Sequence, residues 1–134
     1  MPWLCRRPRI MPGRHHSLGQ AVPTETSMEQ TRVDFLRETL KNHPDDTFAR
    51  YALAMELTQS SQLAAAWEHF EYLLTRHPEY LATYYQAGML LWKQGHRAEA
   101  QDVFEQGVEV TRRQGNHHAQ SELEKALEEL ASDK

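Results

Sequence analysis

The stretches HPDD (43–46) and HPEY (77–80) place the same His-Pro-acid order twice, 34 residues apart. Pro44 and Pro78 cannot sit inside a helix, because proline lacks an N–H and its ring clashes with the preceding turn. They also push His43 and His77 out of helical geometry. The acids that follow, Asp45, Asp46 and Glu79, suit the positive end of a new helix. Each phrase therefore marks the stop of one helix and the start of the next. Two such marks at this spacing predict a repeat built from a pair of helices.

Working outward, the pattern is helical throughout the body. Ser27 with Gln30 three residues on forms a capping-box pattern that opens a helix over about 28–42, with Val33, Leu36 and Leu40 on one face. A second helix is expected over about 46–59, and the polar hinge QSSQ (59–62) separates it from a third over 62–76. The fourth is expected over 79–94 with a stop at Gly95, and the fifth over 96–113 with a stop near Gly115. Asn116 can cap a sixth over 117–131, whose apolar stripe is Ala119, Leu123, Ala126, Leu127 and Leu130. No β-branched alternation or hairpin signal interrupts the series, so the fold class is all-α.

Aligning 47–80 with 81–114 gives identities at Tyr51/Tyr85, Met55/Met89, Leu57/Leu91, Ala66/Ala100 and Phe70/Phe104, among others, with near-matches at Ala54/Gly88 and Ser61/Gly95. Small residues on facing helices allow close approach, and Phe70 and Phe104 are expected to fill the space between adjacent pairs. On these residues the chain resembles the tetratricopeptide repeat family. That pattern has a small residue midway along the first helix (Ala54, Gly88), then a turn residue (Ser61, Gly95) and a small residue early in the second helix (Ala66, Ala100). An aromatic follows (Phe70, Phe104), and a proline closes the unit (Pro78). The chain departs from it where the first-helix aromatic is Arg50 rather than an aromatic like Tyr84, and where the second repeat ends in Arg112.

The resemblance implies an α-solenoid of antiparallel helix hairpins forming a right-handed superhelix. Residues 28–46 would be an N-terminal capping helix, 47–80 and 81–114 the two repeats, and 115–134 a C-terminal capping helix. Arrays of this kind need end pieces with a wet outer side. Arg32 in the first helix, and Ser121, Glu122 and Lys125 in the last, fit that role.

Residues 1–27 read differently. They hold four prolines, two glycines and Arg6, Arg7, Arg9 and Arg14 against the single acid Glu25. This leader is expected to be disordered. A tail preceding a true start at Met28, an organelle-targeting leader and a basic arm for an acidic partner all remain open. From Met28 onward the chain carries 11 Lys/Arg against 18 Asp/Glu, a net charge of −7. That acidity argues against nucleic acid as the main partner. No apolar run approaches the roughly 18–20 residues that span a membrane. The lone Cys5 excludes an intrachain disulfide and fits a reducing, cytoplasmic setting.

Enzymatic signals are missing from the sequence: it has no phosphate loop, no recognisable nucleophile and no zinc-type spacing. The eight histidines read as solvated or as turn punctuation rather than ligands, so no metal or cofactor is expected. The binding signal lies on the first helix of each pair, which the resemblance places on a concave side. There Phe48, Tyr51, Met55, Tyr85, Met89, Trp92 and Lys93 would line a groove for a peptide or helix of a partner protein. The co-chaperone members of the family clamp a carboxylate there with basic and Asn residues; this chain has Tyr, Met and Gln86 instead, with Lys93 the sole nearby base. The expected function is thus a non-catalytic protein-interaction adaptor. Two alternatives stay open: the same stripe buried under helix 117–131 or within the repeat, or buried in a homo-oligomer acting as an assembly unit.

Overall fold

The computed structural model describes residues 25–133. Among them are six α-helices: α1 Glu25–Asn42, α2 Thr47–Gln59, α3 Leu63–Arg76, α4 Ala82–Lys93, α5 Arg97–Gln114 and α6 His117–Ser132. The expected disordered leader falls mainly outside the described residues; of its span only 25–27 are described, and they open α1 three residues ahead of the expected start. The chain divides into a unit ending at Arg32, described only as the first turns of α1, and a unit from Val33 that holds the remaining helices.

The two His-Pro phrases fold alike. Each makes a turn closed by a backbone hydrogen bond, from Asp46 N–H to His43 O (3.0 Å) and from Tyr80 N–H to His77 O (3.0 Å). The helices beyond then differ for a local reason. Asp46 caps α2 by accepting from the Ala49 N–H at 2.9 Å, whereas its counterpart 34 residues on is Tyr80, which has no oxygen suited to that bond. α4 accordingly starts at Ala82 rather than at 79, with no side-chain cap. Glu79 stays in the turn.

The helix ends are more regular than their residues. Past α2, Ser61 N–H bonds to Thr58 O (3.1 Å) and Gln62 N–H to Leu57 O (2.8 Å); past α4, Gly95 N–H bonds to Trp92 O (2.9 Å) and His96 N–H to Leu91 O (2.8 Å). These are matching Schellman closures. They require a left-handed residue at the same place, and both adopt it: Gly95 at φ 87° and Ser61, the only non-glycine with positive φ among the described residues, at φ 63°. The near-match of Ser61 with Gly95 is therefore a conformational identity.

Within the second unit, α2 packs on α3, α4 on α5 and α5 on α6, while α3 on α4 joins the hairpins and α6 also meets α4. The core repeats with the sequence: Ala54 and Gly88, Leu57 and Leu91, Ala66 and Ala100, Phe70 and Phe104 are all buried. Val33 from α1 joins it, with Leu36 and Leu40 packed against it. From α6 come Leu123, Ala126 and Leu130, while Ser121, Glu122 and Lys125 are exposed.

One packing expectation changes. Phe104 does not simply fill space between pairs; it lies against α4 of its own hairpin, so closely that a Cβ built on Gly88 would sit 2.3 Å from Phe104 Cε1. Gly88 is what lets α4 and α5 close. The two phrases also meet across the first hairpin: His77 Nε2 lies 3.8 Å from Asp45 Oδ1, and the same oxygen accepts from the Tyr72 hydroxyl at 2.9 Å. The acid of the first phrase thus reaches the histidine of the second, which ties α3 to the turn before α2.

Candidate functional site

The seven residues singled out on α2 and α4 do not all line one recess. Met89, Trp92 and Lys93 share a recess of about 480 Å³ with Thr58, Gln86 and Leu90. Its position follows from helix geometry: Met89, Trp92 and Lys93 fall at i, i+3 and i+4 on α4, and Thr58 reaches in from the last turn of α2. The Thr58 hydroxyl donates to the Ala54 carbonyl at 2.8 Å, which leaves its methyl for the recess. Trp92 is anchored from the far end of the chain, its indole Nε1–H donating to Asp133 Oδ2 at 2.9 Å. Asp133 also lies 3.6 Å from Arg97 Nη1, and Arg97 Nη2 donates to the Leu130 carbonyl. The end of α6 is thereby latched beside the recess.

Tyr85 lines a different recess, of about 460 Å³, with Gln86 on α4 and Glu122, Lys125, Ala126 and Glu129 on α6. It is 37% exposed, and its ring centroid is 6.3 Å from that of Phe104. The capping helix therefore stands beside part of the α4 stripe but leaves Tyr85 exposed.

Phe48, Tyr51 and Met55 of α2 sit outside both recesses. Tyr51 is half-buried, edge-on to Phe70 (centroids 6.3 Å apart) and to Tyr80 (5.7 Å). Burial pushes its phenol pKa above the ordinary value, and Tyr80 adds to the shift. Met55 is half-buried and packed on the core. Phe48, on the first turn of α2, is 70% exposed. The i, i+4 pairing of Tyr51 with Met55 and of Tyr85 with Met89 is real in position, but the surroundings differ. Tyr85 stands beside Phe104 and the α6 residues of its recess, whereas Tyr51 stands between Phe70 and Tyr80.

Sequence reasoning left out Leu90 and the α6 side chains Glu122, Lys125 and Glu129 as neighbours of this stripe. Exposed charged residues on a cap carry no signal of what they stand beside. Arg50, noted only as a departure, proves to be a hub: Nη2 donates to Pro44 O at 2.8 Å and Nη1 lies 3.1 Å from His69 Nδ1. Its guanidinium carbon also stands 3.7 Å above the centre of the Tyr72 ring. Burial lowers the His69 pKa; Arg50 lowers it further, Glu68 acts the other way, and Arg37 adds to the lowering.

Among the described residues no three His, Cys, Asp or Glu side chains converge as a metal-ion site, and no helix is long and apolar enough to cross a membrane. No protein-family model and no curated protein matches the sequence. Solved structures do match. The solution structure of a tetratricopeptide repeat domain protein from Salinibacter ruber is 35% identical, with a TM-score of 0.66. The match covers 68% of this chain and 92% of that one. A crystal structure of a tetratricopeptide repeat domain protein from the same organism is 34% identical, covering 67% of this chain and all of that one at a TM-score of 0.64. A Bordetella parapertussis protein solved in solution is 27% identical, covering 75% and 88% of the two chains at a TM-score of 0.66. With six sequentially packed helices, a 34-residue phasing visible in core, turns and helix ends, and relatives at this identity, the chain belongs to the tetratricopeptide repeat family.

Proposed function

We propose that this chain is a non-catalytic adaptor that holds an apolar side chain of a partner protein's peptide or helix against α4. The observation that carries the reading is the recess formed by Met89, Trp92 and Leu90, with Lys93 at its edge. Met adapts its shape and Trp offers area with one polar handle, so such residues suit recognition surfaces. Lys93 supplies a cation for an acidic residue flanking the anchor. The setting proposed is the cytoplasm, which the single cysteine supports. The test is the double variant Met89→Glu, Tyr85→Ala in a partner capture from lysate. Capture falls at least tenfold while the helical circular dichroism is kept; undiminished capture removes the reading.

A second reading rests on a separate observation. Phe35 and Phe48 are 69% and 70% exposed, and apolar rings left in water favour self-association. The chain would then be an assembly unit. Light scattering over a hundredfold range of concentration decides it: a mass that rises towards a multiple of 15.6 kDa supports assembly, and a constant monomer mass dismisses it.

A further inference from the structure

Between the second helices of the two hairpins, α3 and α5, lies another groove, of about 660 Å³. Such a volume is within the range that holds ligand groups. Trp67, Leu74, Leu91 and Val103 form its apolar part; Leu91 and Val103 are buried, and Trp67 and Leu74 are half-buried. Four carboxylates from both helices stand around it: Glu68 and Glu71 on α3, Glu99 and Asp102 on α5. No Lys or Arg is among its lining residues, and the only other titratable one is His96, whose Nδ1 lies 3.3 Å from Glu99 Oε1. The recess under α6 makes an instructive contrast, because there Lys125 offsets Glu122 and Glu129 within the lining itself.

Acids on one helix face are ordinarily just solvated. Here two helices bring theirs to the margins of one trough whose floor includes a half-buried indole, and the charge is not balanced from within. A cationic occupant seated there would meet carboxylates from both helices. We infer that this groove docks a cationic segment of a partner protein, one that seats an aromatic or aliphatic side chain on Trp67 and Leu74 while flanking Lys or Arg residues meet the four acids. The surface is separate from the α4 recess of the proposed adaptor function, so the chain would contact partners through both the first and the second helices of its hairpins.

The probe is a fluorescein-labelled peptide, KRWKRLKR, titrated against the full chain by fluorescence anisotropy. It binds, and the affinity falls as salt is raised. The charge-reversed variant Glu71→Lys, Asp102→Lys weakens it at least tenfold, and the peptide KRSKRSKR, which keeps the charge but not the apolar side chains, also binds at least tenfold more weakly. The variant Met89→Glu, Tyr85→Ala binds the probe like the wild type, which separates this inference from the adaptor reading. Should the charge-reversed variant lose its helicity, nitrogen-15 spectra of the wild type serve instead, with shifts expected at the Trp67 indole and the Glu71 and Asp102 amides. No binding at millimolar peptide overturns the inference. Equal binding of the serine peptide, undiminished binding by the charge-reversed variant, or spectral shifts that avoid α3 and α5 would each do the same.

Discussion

Arg50 and Tyr84 make the same bond. Arg50 Nη2 donates to the carbonyl of Pro44 at 2.8 Å, and Tyr84 Oη donates to the carbonyl of Pro78 at 2.7 Å. Both residues stand six positions after the proline and occupy the same place in the 34-residue phasing. A carbonyl freed by a helix end must find a donor, and either side chain can reach it. Arg50 then places its guanidinium over the Tyr72 ring, a cation–π contact that partly makes up for the lost aromatic.

The first prediction concerns that bond. Tyr84 is 2% exposed, so Tyr84→Phe keeps the packing and strips the Pro78 carbonyl of its donor. The expected loss is about 1 kcal/mol, read from a urea midpoint. Arg50→Met should cost about 1–2 kcal/mol, because it removes the carbonyl bond and the cation–π contact together. A Tyr84→Phe midpoint equal to that of the wild type would show the bond to be idle.

Gly88 carries the second. Placing a methyl there meets Phe104 Cε1 at 2.3 Å and Cδ1 at 2.6 Å, so Gly88→Ala should destabilise by about 1–3 kcal/mol through overpacking. The first repeat holds Ala54 at this place, beside Phe70, and the ring there meets Tyr51 at 65° where Phe104 meets Tyr85 at 43°. Adding Phe104→Leu to Gly88→Ala should restore part of the loss, and a double-mutant cycle with zero coupling would refute the close contact.

What could be read in advance divides by range. Pro44, Pro78, Gly95 and the paired Ala and Phe positions signal through local geometry, so the all-α class, the repeat phasing and most helix ends followed from them. α4 began late because Tyr80 holds the capping place, a matter of one side chain's chemistry. Arg50 looked like a defect because its use depends on reach across a turn rather than on polarity. The α4 stripe was legible as a face, but periodicity cannot say what lies opposite. Tyr51 is flanked by Phe70 and Tyr80, whereas Tyr85 stands beside α6, so like-placed residues have unlike surroundings. The acids of the α3–α5 groove were invisible for the same reason: each alone reads as solvated.

Ser61 gives a third prediction, of the opposite sign. At φ 63° a residue with a Cβ pays a steric penalty of about 1–2 kcal/mol, offset for glycine by its larger unfolded-state entropy. Ser61→Gly should therefore stabilise the protein by about 0.5–1 kcal/mol, while Gly95→Ala should destabilise it although nothing lies within 4 Å of the added methyl. Thermal melts of the two variants decide the matter, and a loss of stability in Ser61→Gly would refute the claim of strain.

His69 yields the last. Its pKa is held below the ordinary 6.5 by burial first, then by Arg50 and Arg37 against the opposing pull of Glu68. A guanidinium N–H beside Nδ1 at 3.1 Å needs that nitrogen as an acceptor, which only the neutral ring supplies. The unfolded chain therefore takes up this proton at a higher pH than the folded one. Folding stability from this group is fully present above about pH 6.5 and drains away as the pH falls from there through the folded value. In His69→Gln the amide oxygen can accept from Arg50 at every pH. Urea midpoints measured at pH 7.5 and at pH 5 should thus fall further for the wild type than for His69→Gln. Equal falls would mean that protonating His69 costs the fold nothing, and that the Arg50–His69 contact is not the neutral hydrogen bond its geometry describes.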